Sequence, residues 1–243
     1  MVNDAFTAMA HLALKVGIKV PDVHAVRRFY EQQYLRDFLL KWRINCVFDV
    51  GANDGKYAHH LRMMGYEGHI FSFEPIQKDY LQLAHLSQRD PRWHAFNFAL
   101  GNESTQKPFN VIHQSGTVFS SFLEPKFQAK KNIEMVDIKR LESVLPELVS
   151  NVENPRIFLK TDTQGYDLEV IQGVENFIDD IIGLQAELSV TPIYEESPSY
   201  IKSLAYYESL GFSLMNLFVV NRGKHDSILE YDCIMARLKR FMS

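Results

Sequence analysis

Cysteine is scarce: the chain of 243 residues has two, Cys46 and Cys233. Two cysteines cannot build a disulfide framework or a four-cysteine zinc site. Each sits in an apolar stretch suited to a strand, which predicts buried free thiols. A reducing, cytoplasmic setting is the expectation that follows. An excess of charge of either sign is also absent. Lys and Arg number 26 against 30 Asp and Glu, for a formal net charge of −4 and a pI of about 6.1. The nearest approach to a basic patch is Lys130-Lys131 and the trio Arg237, Lys239 and Arg240. That falls short of the footprint a nucleic-acid partner leaves, so none is expected. No apolar run reaches about 20 residues, so no membrane span is expected. The apolar stretch from Ala8 to Leu14 is too short and has no cleavage-site pattern after it, and it predicts an amphipathic helix rather than a signal peptide. Internal repeats and low-complexity linkers are missing as well. The 46% hydrophobic content is that of a folded globular chain.

What is present is a regular alternation of strand and helix signals. Residues 22–43 place Val26, Phe29, Tyr30, Leu35, Phe38 and Leu39 at helical spacing, with Asp22 as a plausible N-cap. Residues 1–43 therefore read as an N-terminal helical extension, and 44–243 as the main domain. Apolar strand signals follow at Ile44–Phe48, His69–Phe73, Trp93–Leu100, Arg156–Lys160 and Ile181–Val190, with helices at Ile76–Leu86, Leu168–Phe177 and Tyr200–Leu210. This rhythm predicts a parallel sheet covered by helices on both faces. Phe212–Val220 and Ile228–Ala236 have only the turn Asn221-Arg222-Gly223 between them, so that last pair should be antiparallel. Residues 103–135 break the rhythm and read as a hairpin followed by a long loop, a place where function often resides.

Ligands of open α/β sheets bind beyond the carboxyl ends of the strands, so the strand ends carry the functional reading. The first closes with Asp49-Val50-Gly51-Ala52-Asn53-Asp54-Gly55. Its glycines allow a sharp turn and close backbone approach to a ligand. Their spacing is neither the Gly-x-Gly-x-x-Gly of dinucleotide folds nor the Gly-x4-Gly-Lys-Ser/Thr of phosphate loops. The second closes with Phe73-Glu74-Pro75. A carboxylate about 20 residues past the glycine turn can grip two ribose hydroxyls. The third offers Asn97, Ala99 and Leu100 to flank an adenine edge. The fourth closes with Lys160-Thr161-Asp162-Thr163-Gln164-Gly165-Tyr166-Asp167. Lys160 and Asp162 share a strand face, and charge at the end of an apolar strand must be paired or functional. On the fifth strand, Glu187 could pair with Lys160, orient a substrate or hold a metal.

Taken together, these strand ends resemble the FkbM family of S-adenosylmethionine-dependent methyltransferases, from about Val47 to Arg237. The segment Lys160–Asp167 is the most specific part; Leu210-Gly211-Phe212 and Asp232 add to it. The resemblance implies a Rossmann-like class I methyltransferase with a seven-stranded, mostly parallel sheet and an antiparallel last strand. It implies S-adenosylmethionine as cofactor and O-methylation of a small-molecule, natural-product or glycan acceptor. The cofactor residues carried over are Asp49, Gly51, Ala52, Asn53, Gly55, Glu74, Pro75, Asn97, Ala99, Leu100 and Asp162. Asp162 and Lys160 are the catalytic pair, Asp162 as general base or holding the methionine amino group. His113 and His59 are alternative bases. No metal is required, although Asp162, Glu187 and Asp232 could form an oxygen-rich magnesium site. A homodimer is allowed. The rival readings are an NAD-dependent oxidoreductase, which needs the missing third glycine, and a methyltransferase-like binding protein. A nucleic-acid methyltransferase would show Asn/Asp-Pro-Pro-Tyr/Phe near the fourth strand, which Thr161-Asp162-Thr163-Gln164 does not match.

Overall fold

The computed structural model describes residues 12, 13, 15–17, 23–114 and 116–238. The amphipathic helix expected at 8–14 and the cap expected at Asp22 lie largely outside them. Helix α1 (Val23–Lys41) leads into β1 (Cys46–Val50), α2 (Lys56–Met63), β2 (His69–Phe73), α3 (Gln77–Ser87) and β3 (Trp93–Phe96). After an excursion, the rhythm resumes with α4 (Leu141–Leu148), β7 (Ile157–Thr161), α5 (Asp167–Gln172), β8 (Ile181–Ser189), α6 (Tyr200–Ser209), β9 (Ser213–Arg222) and β10 (Ile228–Ala236). Seven of these strands form one sheet in the order β3-β2-β1-β7-β8-β10-β9. All pairs from β3 to β8 are parallel; β10 is antiparallel to both neighbours. This is the expected class I arrangement, with the last strand reversed and inserted between β8 and β9.

Because side chains alternate across each strand, every central strand feeds two cores. On one face Cys46, Phe48, Val50, Leu159, Leu184 and Met235 pack against Leu141 of α4, Ile171 of α5 and Tyr207 of α6. On the other, Val47, Ile70, Phe158, Ile182 and Ile234 pack against Leu35, Phe38 and Leu39 of α1, Leu61 of α2 and Leu83 of α3. Both cysteines are buried and free, and burial pushes each thiol up to about 12. Among the described residues no helix is long and apolar enough to cross a membrane.

The excursion is a second, three-stranded sheet of β4 (Ala99–Leu100), β5 (Thr105–Ile112) and β6 (Lys131–Lys139), in the order β4-β6-β5. It changes two expectations. The third strand does not run from Trp93 to Leu100: it stops at Phe96, and Ala99-Leu100 pairs with β6 instead. Asn97 makes the break, since its side-chain amide donates to the Glu74 and Pro75 carbonyls at 2.9 and 3.0 Å. The region 103–135 is not a hairpin followed by a loop. Its two arms are the antiparallel strands β5 and β6, and the long loop 113–130 joins them.

Candidate active site

The first strand end is shaped by close packing. Gly51 has φ 74, a conformation that favours glycine. A Cβ there would also collide with the Asp162 carbonyl. The Gly51 and Ala52 N–H groups donate to the Phe73 carbonyl at 3.1 and 3.0 Å, and Asp162 N–H donates to the Val50 carbonyl at 3.1 Å. The turn after β1 is thereby clamped between the ends of β2 and β7. Gly55, at φ 84, starts α2.

Glu74 stands at the centre of the turn. Its Oε2 accepts from Asn53 N–H and its Oε1 from Ile76 N–H, both at 2.8 Å. Burial pushes the carboxyl up to about 7 even though both of those bonds favour the charged form. Each carboxylate oxygen keeps a lone pair for another donor. The Asn97 bonds to the Glu74 and Pro75 carbonyls fix the backbone on the other side.

Gly51, Asn53, Glu74, Pro75, Ala99, Leu100 and Asp162 all line one cleft. Phe109 of the second sheet and Phe122 of the loop between β5 and β6 form its apolar wall together with Ile76. The loop 113–130 crosses above. Thr117 Oγ1 donates to Asp79 Oδ2 at 2.5 Å and accepts from Asn53 Nδ2 at 3.0 Å. Tyr194 OH is 2.7 Å from the Phe119 carbonyl and 3.0 Å from Gln164 Oε1, which ties the loop to the segment after β7.

A second cavity, of about 750 Å³, meets the first at Gly51, Asn53, Val118 and Asp162. Lys160 and Gln185 on its floor belong to a polar row. Register aligns Ser72, Asp49, Lys160 and Gln185 on adjacent strands. Lys160 is 6% exposed and Asp49 fully buried. Lys160 Nζ lies 2.9 Å from Asp49 Oδ1, 3.3 Å from the Gly51 carbonyl and 3.7 Å from Asp162 Oδ2. Ser72 Oγ donates to Asp49 at 3.3 Å and accepts from Trp93 Nε1 at 3.0 Å. Burial pulls the Lys160 pKa down, but Asp49 and then Asp162 more than offset it, leaving it above the ordinary lysine value. Lys160 is thus a fixed cation rather than a base. Tyr57 OH donates to Gln185 Oε1 at 2.9 Å, and Gln185 Nε2 donates to Asp232 Oδ2 at 3.3 Å.

Several expected site residues sit behind the wall instead of on it. Asp49 faces Lys160, Asn97 bonds backbone, and Gly55 packs against Leu83 and Trp93. Ala52 lines the second cavity. His59 is exposed on α2, and His113 bonds Asn132 away from both cavities. Glu187 does not pair with Lys160: Gln164 Nε2 bridges it at 3.4 Å to Asp162 at 3.2 Å. Burial, and then Asp162, hold the Glu187 carboxyl well above the ordinary range. Among the described residues no three His, Cys, Asp or Glu side chains are grouped to hold a metal ion, so Asp162, Glu187 and Asp232 do not form the oxygen-rich site their positions allowed. Tyr57, Gln185 and Thr117 are the residues sequence reasoning missed. Gln185 alone left a signal, as a polar residue two positions before Glu187 in an apolar strand.

The Methyltransferase FkbM domain matches residues 49–214. No curated protein matches the chain. Among solved structures, the fold is similar to the methyltransferase FkbM of Methylobacillus flagellatus KT, with TM-score 0.52, 15% identity, and coverage of 79% of this chain and 43% of that one. The chain thus spans less than half the length of that protein. Magnesium protoporphyrin IX methyltransferase from Synechocystis PCC 6803, solved with bound S-adenosylmethionine, matches at TM-score 0.47 and 9% identity over 97% of this chain and 95% of that one. With the family's domain covering most of the sequence, from the first strand end to the start of β9, the chain belongs to the FkbM methyltransferase family.

Proposed function

We propose that the chain transfers a methyl group from S-adenosylmethionine to a hydroxyl of a sugar, glycan or natural-product small molecule. The observation that carries this reading is the pair of cavities meeting at Asp162, one apolar with Glu74 at its edge and the other polar. The residues of the first cavity fit the cofactor. Glu74, held on both oxygens by backbone N–H groups, has lone pairs left for the two ribose hydroxyls. Ile76, Ala99 and Leu100 offer an apolar slot for the adenine. The turn at Gly51–Asn53 exposes backbone to the methionine end. Bound there, S-adenosylmethionine would supply an electrophilic methyl group.

The remaining chemistry belongs to the chain. Asp162 is 45% exposed at its side chain, with Lys160 and Gln164 on opposite oxygens. In this reading it would take the acceptor hydroxyl's proton as the methyl group passes from sulfur to oxygen, the sulfur leaving as a neutral thioether. Lys160 stays protonated and holds Asp162 and the Gly51 carbonyl in register. Thr117, Val118, Ser120 and Phe122 cover part of the first cavity. Positioning of this kind supplies at most about 7–11 kcal/mol, and a general base about 10²–10⁴ in rate.

Calorimetry with S-adenosylmethionine should show one site per chain; no binding would reject the reading. In a radiolabelled methyl-transfer screen against sugars, Asp162→Asn should lower turnover about 10²–10⁴-fold with cofactor affinity kept. Full activity in that variant would remove Asp162 from the base role.

A further inference from the structure

We propose that the acceptor lies in a groove running from Asp162 beneath α1, and that Asp232 recognises it by accepting a hydrogen bond from a ring hydroxyl. This rests on the methyl-transfer reading and assigns that site its second substrate.

The geometry comes first. The cavity that meets the cofactor cleft at Asp162 continues into another of about 510 Å³. The two share Tyr57, His60, Gln185 and Asp232, and the farther one is closed by Glu31 and Gln32 of α1. The result is one passage from the surface to Asp162, separate from the cleft that holds Glu74. An in-line displacement needs this: the attacking oxygen must approach the methyl carbon from the side opposite the departing sulfur, so the two substrates need separate entries that converge.

The chemistry of the floor narrows the occupant. The donors nearest Asp162 are already engaged. Lys160 serves Asp49 and the Gly51 carbonyl, Tyr57 OH serves Gln185, and the Gln185 amide serves Asp232 Oδ2. No hydrogen bond reaches Asp232 Oδ1 among the described residues, so the floor keeps an acceptor for a ligand, while Leu35, Leu61, Met64, Phe218 and Ile234 give the farther cavity an apolar side. A ring carrying several hydroxyls provides the matching donors.

The bond from Gln185 engages only one oxygen of Asp232. Asp232 pairs across the ladder with Glu187, and two carboxylates directly opposite on one sheet face are destabilising. Burial pushes Asp232 up to about 7, with Asp162 adding to the shift. A donor from a ligand would relieve that cost.

The test is saturation-transfer NMR on the full chain with S-adenosylhomocysteine bound, using a mixture of the methyl glycosides of glucose, galactose, mannose and rhamnose. Ring protons of at least one glycoside should receive saturation. Asp232→Asn should weaken that glycoside about tenfold or more, the scale of a hydrogen bond to a charged group. Gln32→Trp, which fills the groove from α1 without altering the sheet, should abolish the signal. Both variants should bind S-adenosylmethionine within about twofold of wild type by calorimetry. If Asp232→Asn does not fold, Gln32→Trp decides alone. Absence of cofactor binding in the wild type overturns the methyl-transfer reading along with this one. Cofactor binding with no glycoside signal, or with a signal that Gln32→Trp leaves intact, overturns this inference alone.

Discussion

The two faces of the seven-stranded sheet are built from the same strands and differ in one respect. On the face covered by α4, α5 and α6, side chains are mainly apolar, as in Cys46, Phe48 and Val50 of β1, with Thr161 a polar exception at the end of β7. On the face covered by α1, α2 and α3, strands β2, β1 and β7 begin apolar and turn polar at the same level, and β10 turns polar one pair further along. Val47 gives way to Asp49, Ile70 to Ser72, Phe158 to Lys160, and, along the reversed β10, Ile234 to Asp232. The first face holds the sheet together. The second gives up part of that packing to bring charge to the strand ends where ligands bind. A buried ion pair is a weak source of stability, so the polar row makes sense chiefly as chemistry.

That difference can be broken from either side, and the largest effect should come from the polar row. Lys160→Met leaves Asp49 buried without a counter-charge, and urea denaturation should show a loss of about 3–5 kcal/mol. Asp49→Leu combined with Lys160→Met should recover most of it, because an apolar pair of similar volume is often as stable as the ions it replaces. Methyl transfer should stay lost in the double variant. A double variant as unstable as the single would show that the row is structural, and would erase the contrast between the faces. On the opposite face, Leu159→Ala removes a fully buried side chain and should cost about 2–5 kcal/mol with no change in cofactor affinity. A drop in affinity there would mean the two faces are not independent.

How much of this could be read from the sequence depended on distance along the chain. Strand ends were legible because alternation, glycine turns and the Phe73-Glu74-Pro75 and Lys160–Asp167 segments are local patterns. The cleft residues Gly51, Asn53, Glu74 and Asp162 came from them. The Asp49–Lys160 pair was not legible, since its partners are brought together only by the β1–β7 register. Asp49 therefore read as a ligand contact and Lys160 as the catalytic partner of Asp162, with Glu187 among the groups that could pair with it. The second sheet was hidden for a different reason. In β6, Ile133 and Met135 are exposed while Val136 and Ile138 are buried, so apolar residues fall on both faces and the period blurs. Helix α4 carries Pro146 inside it, a residue that usually ends helices.

Asn97 offers a smaller effect between the two faces. Asn97→Ala should cost about 1–3 kcal/mol by leaving the Glu74 and Pro75 carbonyls short of a donor. Because those bonds stop β3 and aim Glu74, cofactor affinity should fall with stability. A stability loss with affinity intact would make Asn97 a strand terminator only.

The smallest expected effect concerns Glu74, and its sign makes it decisive. The carboxyl's value rises from 4.5 to about 7 in the folded chain, through burial. The folded state therefore holds the proton more tightly than the unfolded one. The stabilisation this gives is complete below the unfolded value and is lost as pH rises through about 7. Cofactor binding should run the other way, since only the ionised form offers both oxygens to ribose hydroxyls. Between about pH 6 and about pH 8 the ionised fraction rises roughly tenfold, and the wild-type affinity for S-adenosylmethionine should rise with it. Glu74→Gln should flatten that profile and also remove its share of the pH-dependent stability. Asp232 titrates in the same window, but it faces the acceptor groove and stays in both proteins, so the difference between them isolates Glu74. An affinity profile with the same slope in both would assign the pH dependence to another group and leave Glu74 as a brace for Asn53 and Ile76.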